Sequence, residues 1–150
     1  MSEEFKPIVR IAGADLKGDK RLAYALARLK GIGVNTAIAL ARKLGIDPFV
    51  KLGSLSEGEI RKIDSAVREL HKLGFPGWFL NRPRDPETGK DLHFIGSELI
   101  LKVKADIELM KKIKCWKGIR HSLGLKVRGQ RTRTTGRTGV TVGVTKGSKK

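Results

Sequence analysis

The chain has one cysteine, Cys115, so an internal disulfide framework is excluded, as expected for a reducing cytosol. No stretch approaches the roughly 20 consecutive apolar residues of a membrane-crossing helix. The opening Met1-Ser2-Glu3-Glu4 is acidic, without the charged-then-apolar layout of a secretory signal. Side-chain amides are scarce as well: Asn35, Asn81 and Gln130 are all there are, which with the many lysines gives a slight thermophilic lean. The most telling absence is of acid. From Lys111 to Lys150 there is no Asp or Glu against 13 Lys and Arg.

Catalytic equipment is missing too. Cys115 has no second thiol, and His71, His93 and His121 are too far apart for a local metal motif. Thr88-Gly89-Lys90 is a turn fragment and not a phosphate-binding loop, and Glu57/Glu59 and Asp85/Glu87 read as helix-start and loop charges. The enzyme reading therefore has no chemical centre, and no cofactor or metal is expected.

What is present is positive charge, unevenly placed. The net charge is +17, of which residues 111–150 supply +13, leaving a body of only +4. Such asymmetry points to a polyanionic partner. A membrane surface fits poorly, because the cationic region carries Gly and Thr in place of the Trp/Phe/Leu face of an interfacial helix. Nucleic acid fits better. At 150 residues the chain allows one modest domain plus something extended.

Periodicity predicts a mainly α fold. Ile8 to Ala12 reads as a short strand ending at Gly13. Asp19 is placed to cap a helix running to about Leu29, with Leu22, Ala25, Leu26 and Leu29 on one face. Gly31-Ile32-Gly33 separates it from a second helix over roughly 34–44, closed by Gly45 and Ile46 in a Schellman arrangement. Ser56-Glu57-Gly58-Glu59 is a capping box, with Leu55 and Ile60 as staple, and Ile60, Ile63, Val67 and Leu70 follow at helical spacing. Phe75-Pro76-Gly77 breaks that helix, and residues 81–91 read as an exposed loop. Ser97 is placed to cap a fourth helix from Glu98 to about Ile113, with Leu99, Val103, Asp106/Ile107 and Met110 along one side. Beyond Lys117 the glycine density excludes a helix of useful length, though Val140, Val142 and Val144 could form a short strand. The expected organisation is a helical globular domain, 1–117, and an extended cationic RNA-binding tail, 118–150.

Two features can carry binding chemistry. The turn Leu29-Lys30-Gly31-Ile32-Gly33-Val34 can aim backbone N–H groups and a helix N-terminus at a phosphate. It can equally be a tight helical hairpin whose glycines permit close packing. Arg28, Lys30, Arg42 and Lys43 nearby tip the balance toward phosphate. The second feature is Trp116 to Arg133, where Arg can fork onto phosphates or stack on bases, and Gln130 and the Thr hydroxyls can bond backbone or base edges. Trp116 either stacks on a base or, more commonly for such a residue, packs to anchor the tail.

The order of these motifs carries a resemblance. Ile11-Ala12-Gly13-Ala14-Asp15, Lys30-Gly31-Ile32-Gly33, Gly118-Ile119-Arg120-His121 and Gly124-Leu125-Lys126-Val127-Arg128-Gly129-Gln130-Arg131-Thr132 resemble the universal small-subunit ribosomal protein number thirteen family, in its archaeal and eukaryotic form. The resemblance covers nearly the whole chain. It implies a helix-two-turns-helix domain with a long basic extension, working on the cytoplasmic ribosome at the top of the small-subunit head. The rRNA-binding residues so implied are Lys30, Gly31, Gly33, Lys117, Arg120, His121, Lys126, Arg128, Gln130, Arg131, Thr132, Arg133 and Arg137. Lys146, Lys149 and Lys150 would lie near the peptidyl-site tRNA. Implied partners are small-subunit rRNA, head protein number nineteen, and large-subunit rRNA with large-subunit protein number five across intersubunit bridges. The insertion-like loop near 81–94 and the end from Val140 to Lys150 depart from the shorter bacterial pattern. Two alternatives compete: a DNA-binding or repair module, since such helical hairpins occur there, and a general cationic architectural protein.

Overall fold

A computed structural model of the chain describes residues 5–134. The described chain is mainly helical, with one small sheet. In order, it forms β1 (Ile8–Ile11), β2 (Ala14–Lys17), α1 (Leu22–Leu26), α2 (Val34–Lys43), α3 (Glu57–Arg68), α4 (Gly96–Lys112) and α5 (Trp116–Ser122). Short 3-10 turns occur at Leu52–Ser54, Leu70–Leu73 and Gly77–Phe79.

The start of the chain is a hairpin, of which the hydrophobic pattern signals only the first strand. β1 and β2 pair antiparallel, with Ile8 opposite Lys17 and Ile11 opposite Ala14. Ala12 and Gly13 both take positive φ, +50° and +78°, the handedness a two-residue hairpin needs to match strand twist. Val9, Ile11 and Leu16 point inward and Ile8 and Arg10 outward, so each short strand contributes one face to the core.

α1 starts later than expected. Its N-cap is Arg21, not Asp19, and no side chain caps it. The orphan N–H groups find backbone instead: Leu22 N donates to Val50 O at 2.8 Å and Ala23 N to Pro48 O at 3.0 Å. The regular helix ends at Leu26, but looser turns carry Leu29 and Ile32 into the core. α2 closes as the sequence indicates: Gly45 has φ +72°, its N–H bonds Arg42 O, and Ile46 N bonds Ala41 O. α3 begins with the capping box in place, Ser56 Oγ accepting from Glu59 N and the Glu59 carboxylate accepting from Ser56 N. Leu22, Leu26, Leu40, Leu52, Ile63 and Val67 are fully enclosed, so α1, α2, α3 and the hairpin share one apolar core.

The segment between α3 and α4 is more ordered than a plain exposed loop. Arg82 and Leu92 form an antiparallel bridge, and Asp85 is only 1% exposed. The Asp85 carboxylate accepts from Arg82 Nε at 2.8 Å and from Thr88 Oγ1 at 3.0 Å. Those bonds, Arg82 foremost, hold its carboxyl below the usual carboxylate range against the opposing effect of burial.

The chain forms two compact units, one ending at Lys102 and the other beginning at Val103, so α4 starts in the first and continues into the second. α4 begins at Gly96 and not at Glu98, its first residue held by Gly96 N donating to Lys30 O at 2.8 Å. It buries no residue fully: Leu99, Asp106, Ile107 and Met110 are half-buried, while Val103 is exposed.

In the second unit, α5 runs through Gly118, where glycine density had argued against a helix. The reason is local. Gly118 is buried, and a Cβ there would collide with the Met110 carbonyl, so glycine lets α5 lie against the end of α4. Cys115 ties the corner, its thiol donating to Met110 O and its sulfur accepting from Gly118 N, each at 3.4 Å. Gly124, at φ +65°, ends α5, with Leu125 N bonding Arg120 O at 2.9 Å. The tail boundary expected at 117/118 thus falls inside a helix. The strand expected at Val140–Val144 lies outside the described residues.

Candidate nucleic-acid interface

The glycine turn between α1 and α2 is built so that its two glycines do different jobs. Gly31 has φ +99°, and a Cβ there would press on the Phe94 carbonyl oxygen, so its lack of a side chain is demanded by the fold. The segment 93–96 grips this turn from one side. His93 Nε2 meets Gly31 O at 3.0 Å and Gly96 N meets Lys30 O at 2.8 Å. His93 is in turn held by Asn81 N, and Asn81 pairs its amide with both backbone groups of Phe94, at 2.7 and 3.0 Å.

Gly33 is another matter. It is the exposed N-cap of α2, with extended φ −94°, and a Cβ there would meet nothing within 4 Å. Neither backbone strain nor internal packing requires glycine. No side chain caps α2, so its N-terminal end, with the positive pole of the helix dipole, opens outward beside the exposed Lys30. The packing reading therefore explains Gly31 and the phosphate reading suits Gly33.

In the second unit, Lys117, Arg120 and His121 lie on α5, and Lys126, Arg128, Gln130, Arg131, Thr132 and Arg133 follow it in irregular chain, all six exposed. Arg120 does more than face outward. Its guanidinium sits 5.9 Å from the centre of the Trp116 ring, and its Nε donates to Lys126 O at 3.0 Å, which fixes where the basic chain leaves α5. Trp116 itself is 72% exposed, so it does not anchor the tail by burial but presents a free ring face. Leu109, Ile113, Ile119, Leu123 and Leu125 are exposed nearby in the same unit. Arg137, Lys146, Lys149 and Lys150 lie outside the described residues.

The expected residues thus form two groups, Lys30/Gly31/Gly33 in the first unit and the α5 group with its trailing chain in the second. Sequence reasoning missed the clamp on the glycine turn. Asn81 and His93 sit in and just after a stretch of turn chemistry, and nothing in periodicity marks a histidine there as buried. Among the described residues no helix is long and apolar enough to cross a membrane.

A family model described as ribosomal protein S13/S18 matches residues 10–138, spanning both groups. The chain belongs to the ribosomal protein S13/S18 family. It is similar to small ribosomal subunit protein uS13 of Pyrobaculum calidifontis, with 65% identity covering 97% of this chain and 95% of that protein. The uS13 of Thermofilum pendens is 63% identical over 100% of this chain and 96% of its own. That of Saccharolobus solfataricus is 56% identical over 96% and 87%. Membership is thus of the archaeal form, and it settles two expectations from the sequence. The family consists of structural ribosomal proteins and not enzymes, and its work is on the cytoplasmic ribosome.

Proposed function

We propose that this S13/S18-family protein is a structural component of the small ribosomal subunit head that binds small-subunit rRNA through two surfaces. The open end of α2 at Gly33, with Lys30, takes a phosphate. α5 and the chain from Lys126 onward lie along the RNA, neutralising phosphates with Arg and Lys while Gln130 and Thr132 bond backbone or base edges. The observation that carries this reading is Gly33. The protein itself has no need of a glycine there, and an approaching phosphate does.

The division into a body, 1–117, and an RNA-binding tail, 118–150, is functional in this account, since α5 joins the two structurally. Arg137 extends the rRNA contact, and Lys146, Lys149 and Lys150 lie near the peptidyl-site tRNA. Head protein number nineteen, large-subunit protein number five and large-subunit rRNA are the further partners, the last two through intersubunit bridges. These assignments rest on family resemblance and on the cationic, carboxylate-free composition of residues 111–150.

Affinity comes largely from counterion release. Six engaged cations imply a log–log salt slope of about −4 to −5, at roughly −0.7 to −0.9 per phosphate. The test is a titration of small-subunit head rRNA across salt with the full chain and with Arg128, Arg131 and Arg133 all changed to Gln. The slope should fall by about 3 at most. An unchanged slope removes the tail from the phosphates.

A further inference from the structure

A groove of the first unit lies where the end of the hairpin meets α1. Its volume is about 630 Å³, and it is lined by Asp15, Leu16, Lys17 and Lys20 from the end of the hairpin and by Arg21, Tyr24, Ala25 and Arg28 from α1 and the turn after it. Leu16 and Ala25 are buried and form an apolar floor. Tyr24 stands on the opposite face of α1 from the core residues Leu22, Ala23, Ala25 and Leu26, with 52% of its surface exposed. Arg21, the N-cap of α1, and Arg28, in the turn after it, line the same groove as Tyr24.

Charge at this groove is one-sided. Four cations face a single carboxylate, and that carboxylate, Asp15, lies 3.9 Å from Arg10. Lys17, Lys20 and Arg28 are exposed and have no acidic partner among the described residues. Arg21 has its guanidinium 6.0 Å from the centre of the Phe49 ring, itself 51% exposed, which steadies the cation at the rim without neutralising it. An exposed aromatic ring, an apolar floor and a collar of unpaired cations are what an unstacked nucleotide requires: a face to stack on and charges for its phosphates. A continuous duplex would use the cations and leave the ring and floor empty. The volume lies in the range of sites that enclose a small ligand, and one nucleotide suits it.

We propose that this groove binds a single unstacked nucleotide of an RNA strand, the base stacked on Tyr24 and the flanking phosphates held by Lys17, Lys20, Arg21 and Arg28. The site rests on the reading of the protein as an rRNA binder, and its lining shares no residue with those assigned to the Gly33 and tail surfaces. Its signature is preference for single-stranded over duplex RNA at the body of the protein.

The test is fluorescence-anisotropy titration of the full chain with labelled octauridylate and with a labelled 12-base-pair RNA duplex, at a fixed salt of about 0.2 M. Proteins compared are the unaltered chain, Tyr24→Ala, Tyr24→Phe, Lys17→Gln/Lys20→Gln, and the triple Arg128/Arg131/Arg133→Gln chain. Tyr24→Ala should weaken octauridylate binding by about 5- to 150-fold, the range for losing one base–aromatic stack, and leave the duplex unchanged. Tyr24→Phe keeps the ring and should bind as the unaltered chain does. Lys17→Gln/Lys20→Gln should weaken octauridylate more than duplex. Equal loss on both RNAs with Tyr24→Ala overturns the proposal, since it indicates a structural effect, and so does no loss on either. A groove shaped for an acidic protein segment gives that last result. If the triple arginine variant still loses affinity while Tyr24→Ala is silent, the groove assignment falls and the wider RNA reading survives. If neither RNA binds the unaltered chain, both fall.

Discussion

His93 Nε2 lies 3.0 Å from the carbonyl oxygen of Gly31, sixty-two residues earlier in the chain. On the other side of the ring, Nδ1 is 3.2 Å from Asn81 N. A backbone N–H can only donate, so Nδ1 must accept and Nε2 must carry the hydrogen given to Gly31. The ring is therefore neutral and spans two part-buried backbone groups. Changing His93 to Ala removes both bonds and should cost about 1–3 kcal/mol, read from urea denaturation.

The same geometry predicts a pH dependence. Burial holds the His93 ring below its ordinary value of 6.5, although the bond to Gly31 works in the opposite direction. The folded protein thus binds this proton less readily than the unfolded chain. Stability from His93 is fully present above about 6.5 and is lost as pH falls from there through the lowered folded value. Urea midpoints should drop between pH 7.5 and 5.5, and the drop should be smaller in His93→Gln. An identical drop in the two proteins would assign it to other groups.

The two glycines of the turn should behave oppositely. Gly31→Ala places a Cβ against the Phe94 carbonyl at φ +99° and should destabilise by about 1–3 kcal/mol. Gly33→Ser meets open space at an uncapped helix start, where Ser is a better N-cap than Gly, so stability should hold or rise by a few tenths of a kcal/mol. Binding to small-subunit rRNA should nonetheless weaken, because a side chain now stands where the phosphate approaches. Undiminished RNA binding by Gly33→Ser would remove the α2 terminus from the interface.

Where the chain can be cut depends on α5. Truncation before Gly118 strips α5 from the end of α4, since Gly118 lies directly against Met110. Truncation after Leu125 keeps the helix and its Leu125–Arg120 closing bond. By circular dichroism the longer fragment should retain more helix than the seven residues of α5 alone explain, with α4 frayed in the shorter one. A gain no larger than those seven residues would show that α4 does not depend on α5.

How far the sequence carried depended on how local each signal was. The Ser56–Glu59 box and the Gly45–Ile46 close were readable because every partner lies within five residues. Asp19 misled because the N–H groups it was expected to cap are met by Pro48 and Val50, some thirty residues away. β2 escaped notice because Ala14–Lys17 is four residues long with one buried side chain, too short for its alternation to stand out. Gly118 read as a helix breaker because its close approach to Met110 is a contact that composition does not encode. At the interface, the tail cations were plain from charge alone, whereas the groove at Tyr24 needed the hairpin and α1 brought side by side.

The central claim is that RNA holds this protein on the small subunit. The most direct test is sucrose-gradient sedimentation of a cell extract, following the protein after a high-salt wash and after RNase treatment. The protein should stay with the small subunit through the wash and be released by RNase. A protein that sediments free, or with DNA, would contradict that claim.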